Sequence, residues 1–277
     1  MRRMQTMTRV CAWMAAVAVS GAVAAPAAAP AAAPEWVAAM KTAHAGFDGT
    51  AGYVAQFGDS ITYSMAFWKP FSWSDPDAFI PDDGLPKKPG DRRWRDVIQG
   101  AGNEGKEAAE GNYSGWTVQN LLQAVPKVLA ARKPEAAIIM IGTNDSRGNK
   151  LADGYKEGLD KVLQMCLDAK CIPILSTIPP MRGCPDSVAA ANAAIKDLAA
   201  KHKLPLIDFY AAVMKRAPDG KWDGTLISGD GVHPSGGDTA NFSDENLAKS
   251  GYALRNFVSF MAYREVYFRV LQSAKAD

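Results

Sequence analysis

The feature that most restricts the fold of this chain is a series of short apolar runs separated by longer segments with helical periodicity. The clearest run is AAIIMI at 136–141, in which every residue is apolar. A strand of this kind has to be covered on both faces, as in a parallel sheet whose strands are connected by crossover helices. Four such strands are predicted, over 53–57, 136–141, 171–178 and 204–209.

The segments between these runs carry apolar residues at helical spacing. They predict crossover helices over about 118–129 and 151–166, and a last helix over about 252–271 with a core-facing stripe. This alternation predicts the α/β class, a three-layer α/β/α sandwich around a parallel sheet. The segment 62–95 departs from the pattern, since it is rich in Pro, Asp, Lys and Trp and has no sustained period. Because it is too long for an ordinary connection, we interpret it as a functional insertion.

The N-terminal segment has the layout of a secretory signal peptide. Three arginines precede an apolar run at 10–25, and small residues at 22–24 supply a cleavage site. Ser20 and Gly21 interrupt the run, which is shorter than the roughly 20 residues of a membrane span. An uncleaved anchor is the alternative. We expect export to the periplasm or outside the cell, with no stable membrane insertion after cleavage. The predicted organisation is a signal peptide at 1–24, an Ala/Pro linker at 25–34 and a single domain at 35–277.

Removal of the leader changes the charge and the cysteine count. The formal net charge falls from +2 to −1 because the leader holds three arginines and no acid, so the basic pI gives no reason to expect a nucleic-acid partner. The basic residues between 87 and 95 are interspersed with aspartates and are interpreted as a solvated surface. The sequence leaves open how Cys166, Cys171 and Cys184 pair. No metal site is predicted, since none of them has a histidine at ligand spacing.

Polar residues follow the predicted strands where a parallel sheet binds its ligands, beyond the carboxyl ends of the strands. Gly-Asp-Ser at 58–60 follows the first strand, and Gly-Thr-Asn-Asp at 142–145 follows the second. Asp-Gly-Val-His stands late in the chain, at 230–233. A serine hydroxyl becomes a good nucleophile when a base takes its proton and a third group holds that base. Together, the fragments supply a serine for the nucleophile, a histidine for the base and an aspartate to hold the histidine.

Of the three histidines, His233 is the best candidate for the base. His44 lies upstream of the first strand, and His202 stands between two lysines near a helix end, where a solvated position is expected. His233 lies in a loop with Asp230 three residues before it. Taken singly, the fragments have simpler explanations. Gly-Asp-Ser and Asp-Gly are common turns, and the Asn-Asp pair could cap the helix that follows it.

Taken together, the fragments resemble the SGNH (GDSL-like) hydrolase family. Its four blocks are present in the family's order: Gly-Asp-Ser at 58–60, Gly115 ahead of a helix, Gly-Thr-Asn-Asp at 142–145 and Asp-x-x-His at 230–233. The resemblance extends over about 53–263. It implies a central parallel sheet of about five strands in flavodoxin-like order. It also implies ester hydrolysis through an acyl-serine intermediate, with no metal or organic cofactor.

The resemblance further implies a role for each matching residue. Ser60 would be the nucleophile, His233 the general base and then acid, and Asp230 the group that orients the imidazole. The oxyanion would be held by the backbone N–H groups of Ser60 and Gly115 and by the side-chain amide of Asn144. The remaining aspartate of the first and third blocks is expected to be structural, because a carboxylate beside an oxyanion hole would oppose the charge that forms there.

For the substrate, the sequence favours an O-acyl group, above all acetyl, on a carbohydrate or polysaccharide. Tyr63 and Trp68 in the insertion and Trp116 beside Gly115 offer flat faces for sugar rings, and no Leu-rich or Phe-rich stretch indicates an acyl-chain tunnel. Packing of these aromatic residues in the core is the competing interpretation. The alternative functions are a lipid, aryl-ester or thioester hydrolase of the same fold, and a non-catalytic glycan-binding module. The oligomeric state is left open.

Overall fold

The strands of the fold lie where the apolar runs predict them. The computed structural model describes residues 33–102 and 105–272 and contains a parallel sheet of four strands. In sheet order the strands are β1 (Thr50–Gly58), β2 (Pro134–Met140), β3 (Ile172–Ser176) and β4 (Leu206–Ile207). Every residue of β2 and β3 is buried, so both faces of the sheet are covered. The predicted α/β class is confirmed.

Helices connect the strands, as parallel pairing requires. The two predicted crossover helices correspond to the helices at Val118–Arg132 and Tyr155–Asp168, and the last predicted helix to that at Gly251–Val266 with the π-helical turn Tyr267–Leu271 after it. The helices are α1 (Glu35–His44), α2 (Ser60–Tyr63), α3 (Val118–Arg132), α4 (Tyr155–Asp168), α5 (Pro185–His202), α6 (Phe209–Arg216), α7 (Asp244–Leu247) and α8 (Gly251–Val266). Short 3-10 turns lie at Lys69–Ser72, Asp77–Phe79, Trp94–Asp96, Ala108–Glu110 and Arg147–Asn149.

The fifth strand expected from the family order is reduced to two isolated contacts. Residues 97–102 and 105–112 lie along the free edge of β1 and form single parallel bridges, from Gln99 to Tyr53 and from Asn112 to Gly58. Four residues of the sequence between 100 and 111 are glycines, which weaken a strand because they lose the most backbone entropy and offer no side chain to the core. The strand count is therefore four rather than five, although the edge position is occupied.

The insertion at 62–95 packs against the C-terminal helix. The ring of Trp94 lies 5.0 Å from that of Phe260 in α8 and 5.7 Å from that of Phe268. Its buried apolar side chains are Phe67, Trp68, Phe71, Ile80, Trp94 and part of Phe79. The buried aromatic and aliphatic side chains of this segment, which the sequence marks as functional, thus contribute to the hydrophobic core, while much of the rest of it is exposed.

A buried arginine also fastens the insertion to α8. The side chain of Arg264 is fully buried and forms a two-point ion pair with Asp83, with N–O distances of 2.7 and 2.9 Å. It also donates to the carbonyl oxygens of Leu85 and Pro86 at 2.6 and 2.9 Å. Hydrogen bonding to Arg264 lowers the pKa of Asp83 below its ordinary value. The planar guanidinium suits this site because it donates in several fixed directions at once.

The predicted signal peptide, and most of the linker after it, lie outside the described residues. Within 33–102 and 105–272, Cys166, Cys171 and Cys184 are all buried and unpaired. No helix in the same two ranges has the length and apolar character needed to cross a membrane.

Candidate active site

Ser60 stands at the carboxyl end of β1, on a turn that glycine and aspartate make possible. A Cβ atom on Gly58 would lie 2.3 Å from the Met140 carbonyl oxygen and 2.3 Å from Thr62 Oγ1, so no side chain fits there. Asp59 is fully buried, and its Oδ1 accepts a hydrogen bond from the Ile61 amide at 3.0 Å. That bond caps the short helix α2, whose first residue is Ser60. The serine is thus presented at the edge where parallel sheets bind ligands.

His233 and Asp230 reach Ser60 from the other end of the sequence. The Ser60 Oγ lies 2.9 Å from His233 Nε2, and His233 Nδ1 lies 2.6 Å from Asp230 Oδ2. Because a carboxylate only accepts hydrogen bonds, Nδ1 carries the proton and Nε2 is left to accept from the serine hydroxyl. The structure therefore joins the three residues of the predicted triad in one chain of hydrogen bonds.

The Asp230 carboxylate is held by its own loop. Its Oδ1 accepts from the amides of Val232 and His233 at 2.9 and 3.0 Å and from the Ser228 hydroxyl at 2.8 Å. Partial burial acts to raise the pKa of Asp230, but these hydrogen bonds and that from the imidazole outweigh it and lower the pKa well below its ordinary value. The Asp230 carboxylate is therefore ionised at neutral pH and can accept the hydrogen bond from His233 Nδ1.

Arg182, which the sequence analysis missed, fixes the position of this loop. Its guanidinium pairs with both oxygens of Asp223, at 2.5 and 2.6 Å, and donates to the Gly229 carbonyl oxygen at 3.1 Å. Its backbone N–H donates to the carbonyl oxygen of Gly231 at 2.8 Å. Gly231 has φ +75°, and a Cβ there would lie 2.6 Å from the Arg182 side chain. Nothing local in the sequence around this arginine indicates the role.

The two further predicted oxyanion donors lie on neighbouring loops. Gly115 has φ +78° with open space on the side where a Cβ would point, so glycine is needed there for its backbone conformation alone. Asn144 Nδ2 donates to the Trp116 carbonyl oxygen at 2.9 Å, and its Oδ1 accepts from Arg147 Nε at 3.0 Å. The amide nitrogen has a second N–H, for which no acceptor lies among the described residues. The side chain is thus oriented by two partners and keeps one donor.

The aspartate of the third block caps a helix, but not the one that follows it. Both oxygens of Asp145 lie 3.1 Å from the backbone nitrogen of Val118, the first residue of α3. Burial raises the pKa of Asp145 to about 6, opposed by the Val118 hydrogen bond and assisted by the charge of Asp59. Asp145 is thus structural, as expected, and its carboxylate binds the backbone N–H of a helix that precedes it in the sequence.

Two buried basic side chains, also missed from the sequence, lie beneath the Ser60 turn. Arg255 of α8 donates to the Ile61 carbonyl oxygen at 2.7 Å and to Thr62 Oγ1 at 2.8 Å. Lys106 donates to the Thr62 carbonyl oxygen at 2.7 Å and to the side chain of Gln56. Burial lowers the pKa of Arg255 to about 10 and that of Lys106 well below its ordinary value. Both side chains thus support the backbone immediately after the candidate nucleophile.

The three aromatic residues predicted to bind substrate have different surroundings. Tyr63 and Trp116 are partly exposed. Trp68 is 0% exposed, with its ring 4.8 Å from that of Phe71, so the prediction that it binds substrate is wrong. The insertion has folded it into the core. Tyr113, which the sequence analysis did not select, is 46% exposed and has its ring 5.2 Å from that of Tyr63.

Within 33–102 and 105–272, no three His, Cys, Asp or Glu side chains come together in a way that would hold a metal ion. The reactive groups that the structure brings together at the end of the sheet are a hydroxyl, an imidazole, a carboxylate and neutral N–H donors.

Comparisons with known proteins match this arrangement to one family. The family model described as "GDSL-like Lipase/Acylhydrolase family" matches residues 57–236. The chain is similar to the solved structure of a lipase/acylhydrolase from Enterococcus faecalis, with 20% identity and a TM-score of 0.51, covering 78% of this chain and 96% of that one. A comparison with curated protein sequences gives no match.

Two other solved structures share the fold. One is the acetyl xylan esterase AlAXEase, with 17% identity and a TM-score of 0.53, covering 76% of this chain and 98% of that one. The other is a psychrotrophic esterase from Pseudoalteromonas sp., with 14% identity and a TM-score of 0.50, covering 77% and 97%. At these identities the similarity establishes a common fold.

We predict that Asp145→Asn changes the pH dependence of stability. Folded Asp145 keeps its proton up to about pH 6, whereas an aspartate in an unfolded chain ionises near pH 3.9. The folded wild type therefore binds more protons in this window and loses stability as the pH rises through it. Asparagine does not ionise, and its oxygen still accepts from Val118. Between about pH 4 and pH 7, the unfolding free energy of the wild type should fall by up to about 3 kcal/mol relative to the variant.

Urea unfolding of both proteins across this pH range measures the difference. Asp197→Asn is the matched control, because the Asp197 carboxylate is exposed and pairs with Lys156 at the surface. A difference between the wild type and Asp145→Asn that stays constant with pH would show that the buried carboxylate is ionised throughout.

Proposed function

The chain belongs to the GDSL-like lipase/acylhydrolase family, as its motif blocks predict, and we propose that it is an exported serine esterase acting on O-acyl, above all O-acetyl, esters of carbohydrates. The observation that carries the proposal is the hydrogen-bonded chain from Ser60 Oγ to His233 Nε2 and from His233 Nδ1 to Asp230, at 2.9 and 2.6 Å. Serine hydrolases on unrelated folds use the same three groups in the same order of contact.

In the proposed mechanism, His233 takes the proton of Ser60 while the serine oxygen attacks the ester carbonyl. The tetrahedral intermediate then collapses to an acyl-serine, and His233 returns the proton to the departing alcohol. Water repeats the sequence, with its proton taken by His233 and the acyl group released as a carboxylic acid. Asp230 stays ionised and favours the protonated imidazole, so it lowers the barrier without taking a proton itself.

The oxyanion of this intermediate would be bound by N–H groups from three segments. The backbone N–H groups of Ser60 and Gly115 and the free side-chain N–H of Asn144 all belong to loops at the carboxyl end of the sheet. These donors are neutral and already oriented, which is what stabilises a developing charge with little reorganisation. The bonds from Asn144 to Trp116 and Arg147 supply that orientation for the amide.

The carbohydrate part of the proposal is supported by aromatic rings near Ser60. The ring of Tyr113, which is 46% exposed, lies beside the partly exposed rings of Tyr63 and Trp116. Flat aromatic faces combined with polar edges suit ligands that are apolar on one side and hydroxylated at the rim. One structure of the same fold is an acetyl xylan esterase, although its 17% identity to this chain speaks for the fold alone. A preference for longer acyl esters would favour the lipid or aryl-ester alternative.

We predict that Ser60→Ala and His233→Ala each lower kcat for p-nitrophenyl acetate by about 10³-fold or more while the fold is retained. Without the base the hydroxyl is a weak nucleophile, and without the hydroxyl no acyl-enzyme forms. A fluorophosphonate probe should label the wild type but not Ser60→Ala. Ser74→Ala is the control and should be labelled, since the Ser74 hydroxyl it removes donates to the Pro70 carbonyl oxygen within the insertion. Labelling of Ser60→Ala would place the nucleophile elsewhere, and an unlabelled wild type would support a non-catalytic glycan-binding module.

A second substitution separates catalysis from structure at Asn144. If its free N–H binds the oxyanion, Asn144→Ala should lower kcat by roughly 10² to 10³, about 2.7 to 4 kcal/mol, with KM little changed. If Asn144 only joins Trp116 to Arg147, the loss should be about 1 kcal/mol of stability with near-normal kcat. Arg147→Ala is the comparison variant: it removes one of the two contacts that orient the amide and keeps the donor, so its loss of kcat should be smaller. A destabilised Asn144→Ala variant with near-normal kcat would contradict an oxyanion role.

Export makes a separate prediction about the mature chain. Cleavage after the small residues at 22–24 should leave an N-terminus near Ala25. Intact-mass measurement of the protein recovered from its native host tests this. A full-length chain in the cytoplasmic fraction would refute export. The esterase proposal would be unaffected, because it is argued from the hydrogen bonds among Ser60, His233 and Asp230.

A further inference from the structure

Three partly exposed aromatic rings form a continuous surface beside Ser60, which we name the aromatic row: Tyr63, Tyr113 and Trp116. The ring of Tyr63 lies 5.2 Å from that of Tyr113, which lies 6.3 Å from that of Trp116. Tyr63 is on α2 with Ser60, and the backbone N–H of Tyr113 donates to the Gly58 carbonyl oxygen at 3.4 Å. The row therefore begins at the reactive serine and leads away from it along the edge of the sheet.

Beyond Trp116 the surface opens into a groove of about 390 Å³ along α3, which we name the α3 groove. Its apolar lining is the ring of Trp116 and three alanines, and its polar side chains are Asn120, Gln123 and Lys127. Positions three and four residues apart share one face of a helix, so these three polar groups follow one another along the groove over about 10 Å.

The polar groups of the α3 groove are mainly hydrogen-bond donors. Asn120 Oδ1 is occupied by the N–H and hydroxyl of Thr117, which leaves its NH₂ group to face a ligand. Gln123 and Lys127 are exposed and add an amide and an ammonium. An alkyl chain laid along the groove would cover these donors without pairing them, which costs free energy. A hydroxylated ligand with one apolar face pairs the donors and contacts the alanines and the indole.

We propose that the aromatic row and the α3 groove form a second subsite, which binds the sugar residues next to the acylated one. The enzyme would then bind an acylated oligosaccharide more tightly than the acylated monosaccharide. The inference rests on the proposed function for the position of the scissile ester, which must lie at Ser60, the start of the row. The hydrogen bond from Asn144 to the Trp116 carbonyl oxygen fixes the row relative to the candidate oxyanion site.

Binding to Ser60→Ala tests the subsite without turnover. By titration calorimetry, mono-acetylated xylotetraose should bind about tenfold or more tightly than mono-acetylated xylose, the value of one or two hydrogen bonds. The double variant Gln123→Ala/Lys127→Ala and the groove-filling Ala124→Phe, each made in the Ser60→Ala background, should remove that gain. Gln119→Ala is the matched control and should retain the gain. Gln119 lies on α3 one turn before Gln123, but its side chain is close to Gly158 of α4 and does not line the groove.

Equal affinities for the two sugars, or a gain that survives both groove variants in proteins of unchanged melting temperature, would overturn the subsite. Hydrolysis of p-nitrophenyl acetate by the wild type reports on the proposed function separately. Absence of Ser60-dependent turnover, together with tighter binding of the tetrasaccharide that the groove variants abolish, would refute the esterase and keep the subsite.

Discussion

The arrangement of the site depends on one buried cation, the guanidinium of Arg255. It binds the Ile61 carbonyl oxygen and the Thr62 hydroxyl, the two residues after Ser60, while its own helix lies near the end of the chain. Burying a charge is costly unless it is paired and fully hydrogen-bonded. Here the cost is reduced by two oxygen acceptors, by the negative charge of Asp59, and by the Phe67 ring, whose centroid lies 3.5 Å from the guanidinium carbon. With a pKa of about 10 the group stays charged at neutral pH.

Long-range contacts of this kind explain how residues far apart in sequence meet at one edge of the sheet. Pairing of β1 with β2 places the loops that carry Ser60 and Asn144 side by side. The loop of His233 follows no strand of the sheet directly, and it is held by the contacts of Arg182 with Asp223 and Gly231. The candidate triad is thus assembled from the end of β1 and one arginine-bound loop, with Asn144 beside it at the end of β2, so the geometry of the site depends on residues with no chemical role of their own.

The sequence predicts what is encoded locally. The short apolar runs predict the four strands, and the motif blocks predict Ser60, Asp230 and His233, because strand burial and short turns leave a pattern within a few residues. It does not predict the fate of Trp68 or the role of Arg255, since whether a tryptophan or an arginine is buried is decided by partners about 190 residues away. The same limit applies to the insertion, because its packing against α8 forms only when both segments are folded.

The segment 113–118 connects the candidate active site to the proposed binding surface within six residues. It provides an exposed ring at Tyr113, the left-handed backbone of Gly115, and the carbonyl of Trp116 that accepts from Asn144. It ends at Val118, where the N–H bound by Asp145 starts the helix that forms the α3 groove. Because the loop at 142–145 binds both Trp116 and Val118 of this segment, the proposed groove and the candidate oxyanion donor Asn144 share one support. On the proposed function, such a connection would let binding energy from distant sugar residues act on the orientation of the ester, where it would contribute to the rate.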